Sequence, residues 1–199
     1  MNFYEVINKR RTIRQFDQEE IPKEVIKRIL NAGLKAPSGG GKKECELLTI
    51  TEKDIILDLA KFIPSNLCDI KSPKNTKNEV LKVGFPLQRS MIEESTCIIL
   101  VLYKQKHEFS NSINNFGLQD YASAWVLIEN ILLAATYEGL GTGIHVPIEK
   151  EPQQIKEFMR IPYNYYLPAM ILLGYTAENA VLPKLIEANV NNRIHWNQW

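Results

Sequence analysis

Four cations fall within six residues near the start of this 199-residue chain, in Lys9-Arg10-Arg11-Thr12-Ile13-Arg14, followed at once by Gln15-Phe16-Asp17. Guanidinium forks beside a hydroxyl are the donor set that holds a phosphate. The successive β-branched residues Thr12 and Ile13 favour extended backbone through Phe16, which would turn Thr12 and Arg14 to the face opposite Ile13. An apolar stripe of Phe3, Val6 and Ile7 just upstream is expected to anchor the segment to a core, so that its charges are aimed. The plainer reading is a set of solvated arginines paired with carboxylates such as Glu19 and Glu20.

Two glycine-rich stretches could also bring backbone N–H groups close to a ligand. They are Pro37-Ser38-Gly39-Gly40-Gly41-Lys42-Lys43 and Gly139-Leu140-Gly141-Thr142-Gly143. Neither is a nucleotide fingerprint. The first has Lys43 where a phosphate-binding P-loop needs Ser or Thr, and the second has Ile144 in place of the third glycine and follows a helix rather than a strand. Gly139 alone also reads as a helix C-cap. His107, His145 and His195 are too dispersed for a metal site, and only His145, close to the glycine turn, is a candidate to lie near substrate. No Ser-His-Asp or Cys-His arrangement is needed if a bound cofactor carries the chemistry.

The elements that must position these residues alternate between helix and strand. Asn2 and Glu5 have capping-box spacing for a first helix. A second helix is predicted from Pro22, burying Val25, Ile26, Ile29, Leu30 and Leu34, and stopping before Ala36-Pro37. Leu47 to Thr51 reads as a strand and Ile55 to Ala60 as part of a helix. Pro64 to Asn78 is polar and rich in breakers, a loop or excursion that could cover a site. Cys97–Tyr103 and Ala169–Leu173 are continuous apolar runs suited to central strands. A helix from about Asp120 to Glu138 is apolar on nearly every face, with Glu129 its only interior charge. Such a helix should be buried on all sides, against its own sheet and against a second subunit, most simply in a homodimer.

Composition narrows the class. The chain is 45% hydrophobic with a net charge of +1, enough for one core and a single domain over residues 1–199. The first 43 residues carry +5 and the remainder −4. Basic excess confined to one end suits a small anionic ligand rather than a nucleic acid, which favours charge repeated along a face. Three cysteines, Cys45, Cys68 and Cys97, make a disulfide framework or zinc site an unsuitable reading. No signal-like start and no apolar run of about 20 residues is present, and the expectation is a soluble cytoplasmic protein without membrane contact.

Taken in order, several motifs resemble the FMN-dependent nitroreductase family. They are Arg10-Arg11-Thr12-Ile13-Arg14-Gln15-Phe16, Ala36-Pro37-Ser38-Gly39-Gly40, Glu129-Asn130-Ile131-Leu132-Leu133-Ala134-Ala135 leading to Gly139-Leu140-Gly141-Thr142, Leu172-Leu173-Gly174-Tyr175, and the terminal His195-Trp196-Asn197-Gln198-Trp199. The resemblance covers nearly the whole chain. It implies a three-layer α+β fold, with a mixed, largely antiparallel sheet flanked by helices, and an entwined homodimer with two FMN sites at the interface. It also implies that NADH or NADPH reduces FMN and that a nitroaromatic, quinone or similar conjugated acceptor is reduced in turn.

Carried over by position, the resemblance assigns Arg10, Arg11, Thr12 and Arg14 to the phosphate and ribityl end of FMN. Pro37, Ser38 and Gly39 would reach the flavin ring from the opposite subunit, and Gly141 and Thr142 would lie along its other face. Gly41 and Lys43 stand where the family commonly has Asn and Gln. The family's late basic residue has Lys184 and Arg193 as candidates, with Glu187 at the expected spacing. Trp196 and Trp199 would anchor a tail that wraps the partner. Two other readings stay open: a flavin-binding or flavin-carrying protein without reductase turnover, and an anion-binding interaction domain whose arginines contact an acidic partner.

Overall fold

The computed structural model describes residues 1–64, 86–104, 118–183 and 188–199. Helix α1 (Phe3–Lys9) begins with the expected capping box: Glu5 N–H donates to Asn2 Oδ1 (3.0 Å) and Asn2 N–H to Glu5 Oε2 (2.8 Å). Of its apolar stripe only Val6 is buried; Phe3 is 65% and Ile7 42% exposed. The expected three-residue anchor is therefore one residue wide, since in a seven-residue helix only Val6 is turned into the core.

Helix α2 (Lys23–Leu34) follows Pro22 and stops one residue short of Ala36, as the proline after that alanine requires. It buries Ile26, Ile29 and Gly33, with Val25 and Leu30 partly covered, whereas Leu34 faces solvent at 42% exposure. A Cβ on Gly33 would lie 2.5 Å from Ile131 Cγ1, so this glycine sets how closely α2 approaches the long helix described below.

Strand β1 (Cys45–Ile50), helix α3 (Lys53–Ala60), helix α4 (Gln88–Glu94), strand β2 (Cys97–Lys104), helix α5 (Gln119–Tyr137), strand β3 (Gly141–His145), helix α6 (Glu151–Phe158) and strand β4 (Tyr165–Gly174) complete the main elements. Helices α4 and α6 carry too few apolar residues at helical spacing to stand out in the sequence. The sheet order is β1-β2-β4-β3, and every ladder in it is antiparallel. Register shifts between Val101↔Ala169 and Tyr103↔Tyr166, which leaves one extra residue on β4 at Leu167–Pro168. A proline there donates nothing to the ladder and suits a bulge.

Alternation along the central strands divides the core in two. Cys97, Ile99, Val101, Tyr103, Ala169, Ile171 and Leu173 face α2 and α5. Ile98, Leu100, Leu102, Met170 and Leu172 face the side covered by α3, α4 and α6. This is the three-layer α+β arrangement that the resemblance implies. The fully apolar character of α5 has a large intrachain cause: one side lies on the sheet and another against α2, while Val126 and Tyr137 remain 42% and 61% exposed.

The basic segment is laid across the β3 side of this frame. Ile13 N–H donates to Thr142 O (2.8 Å), with a parallel bridge between Thr12 and Thr142. Phe16 then bridges Thr176, Asp17 N–H donates to Tyr175 O (2.8 Å), and Ala177 N–H to Gln15 O (3.1 Å). Ile13 and Phe16 are both buried though three residues apart, so the segment is not the regular strand expected. It changes partners midway, from β3 to the chain beyond β4.

Glycine makes that seat. A Cβ at Gly143 would stand 2.6 Å from Met91 Sδ and 2.9 Å from Ile13 O, and one at Gly174 would stand 2.8 Å from Phe16 Cδ1. Gly143→Ala should therefore destabilise the protein by about 1–3 kcal/mol through overpacking. That corresponds to a fall in melting temperature of roughly 2–4 °C for each kcal/mol in a chain of this size. An unchanged thermal melt would show that Ile13 is not seated on β3.

Candidate functional site

The three arginines of the seated segment have different surroundings. Arg11 folds back on α1, its guanidinium donating to the carbonyls of Asn8 and Arg10 (2.8 Å to the latter). These are among the carbonyls that a helix C-terminus leaves without intrahelical partners. Arg10 Nε lies 3.8 Å from Glu129 Oε1, a carboxylate on α5, with both side chains partly exposed. The plainer alternative, pairing with Glu19 or Glu20, does not form among the described residues.

Arg14 is the exception. Its Nε is buried and has no hydrogen-bond partner, and desolvation lowers its pKa from the usual arginine value. Guanidinium remains charged under ordinary conditions, and a buried charged donor without an acceptor is costly. An anionic oxygen would satisfy it, so the residues here fit the phosphate end of a flavin mononucleotide.

The flanks of Arg14 are fixed by contacts invisible in the sequence. Glu94 on α4 accepts from Phe16 N–H (3.2 Å), and its carbonyl accepts from the Gln18 side chain (2.9 Å). Gln15 Oε1 accepts from Val181 N–H (2.8 Å). Gln15, Glu94 and Gln18 thus hold the backbone on both sides of the guanidinium, and their sequence separations of up to 166 residues explain why no local pattern showed it.

Gly141 and Thr142 do adjoin the basic segment. They lie in β3 rather than in the glycine loop expected, and Thr142 is 2% exposed. Gly141 admits Thr176 Oγ1 and Ile13, which a Cβ would meet at 2.7 and 2.9 Å. In this chain their closeness is used first on Ile13 and Thr176. Gly139, with φ +86°, has the left-handed turn expected of a residue just past a helix.

The proline-serine stretch lies at the other end of α5. Gly39 N–H donates to Ser123 Oγ (3.0 Å), and Lys43 N–H to Ser38 Oγ (3.0 Å). Gly40, Gly41 and Lys43 all have positive φ (64°, 68° and 46°), and Gly41 faces open space. Among the described residues no hydrogen bond joins the Pro37–Gly39 stretch to Arg14 or Thr142.

The remaining candidates divide. Lys184 and Glu187 lie outside the described residues, as do Cys68, His107 and all of Pro64–Asn78 beyond Pro64. Arg193 follows a short 3-10 turn, Val190–Asn192, in an exposed tail. His195 stacks on Trp199 at 4.2 Å, and Trp196 and Trp199 are 83% and 101% exposed, without an intrachain seat. His145 is buried and belongs to the frame: Nε2 lies 2.8 Å from Glu151 Oε2, which also accepts from Ile148 N–H, and Nδ1 lies 3.0 Å from Gln88 Oε1. That set joins β3 to α4 and α6. Among the described residues no group of three or more His, Cys, Asp or Glu is placed to hold a metal, and no helix is long and apolar enough to cross a membrane.

The frame is a three-layer α+β fold with a basic segment seated on its sheet, and comparison with known sequences assigns its family. The nitroreductase family profile matches residues 7–175, and the chain belongs to that family. A Methanothermobacter thermautotrophicus protein, provisionally named an NADH dehydrogenase/NAD(P)H nitroreductase, is 27% identical over 202 residues, covering 100% of this chain and 88% of the relative. Human iodotyrosine deiodinase 1 is 25% identical over 187 residues, which are 92% of this chain but only 64% of that protein. The structure of an oxidised iodotyrosine deiodinase bound to FMN and 3-iodo-L-tyrosine superposes with a TM-score of 0.81 at 20% identity, covering 100% of both chains.

Two described thiols lie in this frame, and neither is set up as a nucleophile. Burial, with Asp120 and Glu44 adding, pushes Cys45 up to about 11, and burial pushes Cys97 up to about 12, both from an ordinary 9.0. The folded chain then keeps protons that the unfolded chain loses, so this contribution to stability is complete below pH 9.0 and fades as pH rises through about 11 to 12. In a Cys68→Ser background at pH 8, iodoacetamide should alkylate the native protein about 100-fold more slowly than the urea-unfolded chain, since thiolate is the reactive form. Equal rates, followed by mass spectrometry, would contradict this.

Proposed function

We propose that this protein is an FMN-dependent oxidoreductase that takes electrons from NADH or NADPH and reduces a small electrophilic acceptor, acting as a homodimer of single-domain chains. The observation that carries the reading is Arg14, with its buried and unpartnered Nε on a segment fixed from both sides. Family membership supports an oxidoreductase, and the FMN-bound structural relative supports the choice of flavin. When bound, FMN supplies the redox chemistry, accepting hydride equivalents from the nicotinamide and passing electrons to the acceptor.

The chain's own residues have simpler tasks. Arg14, with Arg10 and Thr12 beside it, holds the phosphate and ribityl end; Arg11 fixes the end of α1 that delivers them. Gly141 and Thr142 seat the segment beneath the ligand. Pro37, Ser38 and Gly39 of a second copy close the ring side. Binding fixes the ring where donor and acceptor can stack in turn, with reacting atoms roughly 3–3.5 Å apart. The acceptor class is a nitroaromatic, a quinone or a similar conjugated molecule, and the deiodinase relatives add halogenated phenols to the set worth assaying.

The purified protein should be yellow, or should take up FMN, and the flavin absorbance should bleach on anaerobic addition of NADH or NADPH and recover with acceptor. Protein that takes up no FMN would refute the reading. Bound flavin that no nicotinamide reduces would leave a flavin carrier. Arg14→Ala should weaken FMN binding about 10- to 100-fold, the equivalent of one charge-assisted hydrogen bond of about 1.5–3 kcal/mol. Undiminished affinity by fluorescence titration would remove Arg14 from the site.

A further inference from the structure

The carboxylate facing Arg10 has no task in the flavin reading. Glu129 is the one charged residue between Asp120 and Glu138 on α5, in a stretch otherwise composed of apolar and uncharged side chains. It lies 3.8 Å from Arg10 Nε, with side-chain exposures of 54% for Glu129 and 32% for Arg10. That distance is within ion-pair reach but beyond a hydrogen bond. The donors of Arg10 are therefore not consumed, and an exposed pair of this kind holds its partners weakly.

A phosphate carries between one and two negative charges near neutral pH. One that reaches Arg10 must share the guanidinium with a fixed negative charge, whereas an uncharged ribityl end meets no such opposition. Arg14, its Nε buried and its pKa lowered by desolvation with no carboxylate acting on it, supplies the constant attraction. Arg10 supplies an attraction already partly neutralised by α5.

We propose that Glu129 is a specificity-determining residue, an intramolecular competitor for Arg10 that sets how strongly the site prefers a phosphorylated flavin over an unphosphorylated one. The proposal rests on the flavin reading of the site. Glu129 thereby keeps affinity for the phosphate end below what the arginines alone would give. The competition also makes release of the phosphate end easier, because the carboxylate is at hand to take the guanidinium back.

The test is a fluorescence-quenching titration of flavin-stripped full-length protein, wild type and Glu129→Gln, with FMN and with riboflavin. Removing the charge should tighten FMN binding about 3- to 10-fold and leave riboflavin within about twofold, since only the phosphate senses the carboxylate. Unchanged or weaker FMN binding in Glu129→Gln would overturn the proposal and make Glu129 an orienting or neutral partner of Arg10. Equal tightening of both flavins would overturn it as well. If wild-type protein bound neither flavin, the flavin reading itself would fall, and the proposal with it. Thermal melts of the two apoproteins check that the substitution leaves the fold intact, as its exposed position leads one to expect.

Discussion

Close contact between the segment Thr12–Asp17 and the glycine-bearing ends of β3 and β4 is the constraint on which the arrangement of this protein turns. Gly141, Gly143 and Gly174 leave space that Ile13, Phe16, Met91 and Thr176 fill at distances a Cβ would violate. Backbone hydrogen bonds to Thr142, Tyr175 and Ala177 then fix the segment's direction. The apolar side chains of the segment are spent on burial, and its arginines are left at the edge of the sheet. Without that seat the same four cations would be a solvated basic patch.

From the seat follows a division among the arginines that their adjacency conceals. Arg11 satisfies helix carbonyls, Arg10 shares a carboxylate with α5, and Arg14 alone is desolvated without a partner. The proline-serine stretch is bonded instead to Ser123 on α5. The exposed apolar groups of α1, α5 and the C-terminal tail are the surfaces that a second copy would cover in the proposed dimer.

Much of the frame was legible because its patterns are local. The capping box at Asn2 and Glu5, the stop of α2 before Pro37, the apolar runs of β2 and β4 and the length of α5 each rest on spacing that neighbours along the chain enforce. Helices α4 and α6 left no such pattern, and the apolar Phe3, Ile7 and Leu34 stay exposed among the described residues. From the sequence alone the glycines of β3 suggest a ligand loop or an ordinary turn. A glycine marks close approach without saying what approaches, and here the near neighbour is the chain's own Ile13.

The sequence by itself determined the order of α1, α2, β1, α3, β2, α5 and β4, the two-sided apolar strands, the clustering of positive charge at one end and the family to which the motifs belong, since each is written in residue type and short spacing. Tertiary structure decided which arginine is left without a partner, that His145 serves the frame through Glu151 and Gln88, and that Glu94 and Gln15 brace the basic segment. These are consequences of burial and of hydrogen bonds between residues far apart in the chain. Desolvation and partner supply depend on where the fold places a group, and no local pattern in the sequence records them.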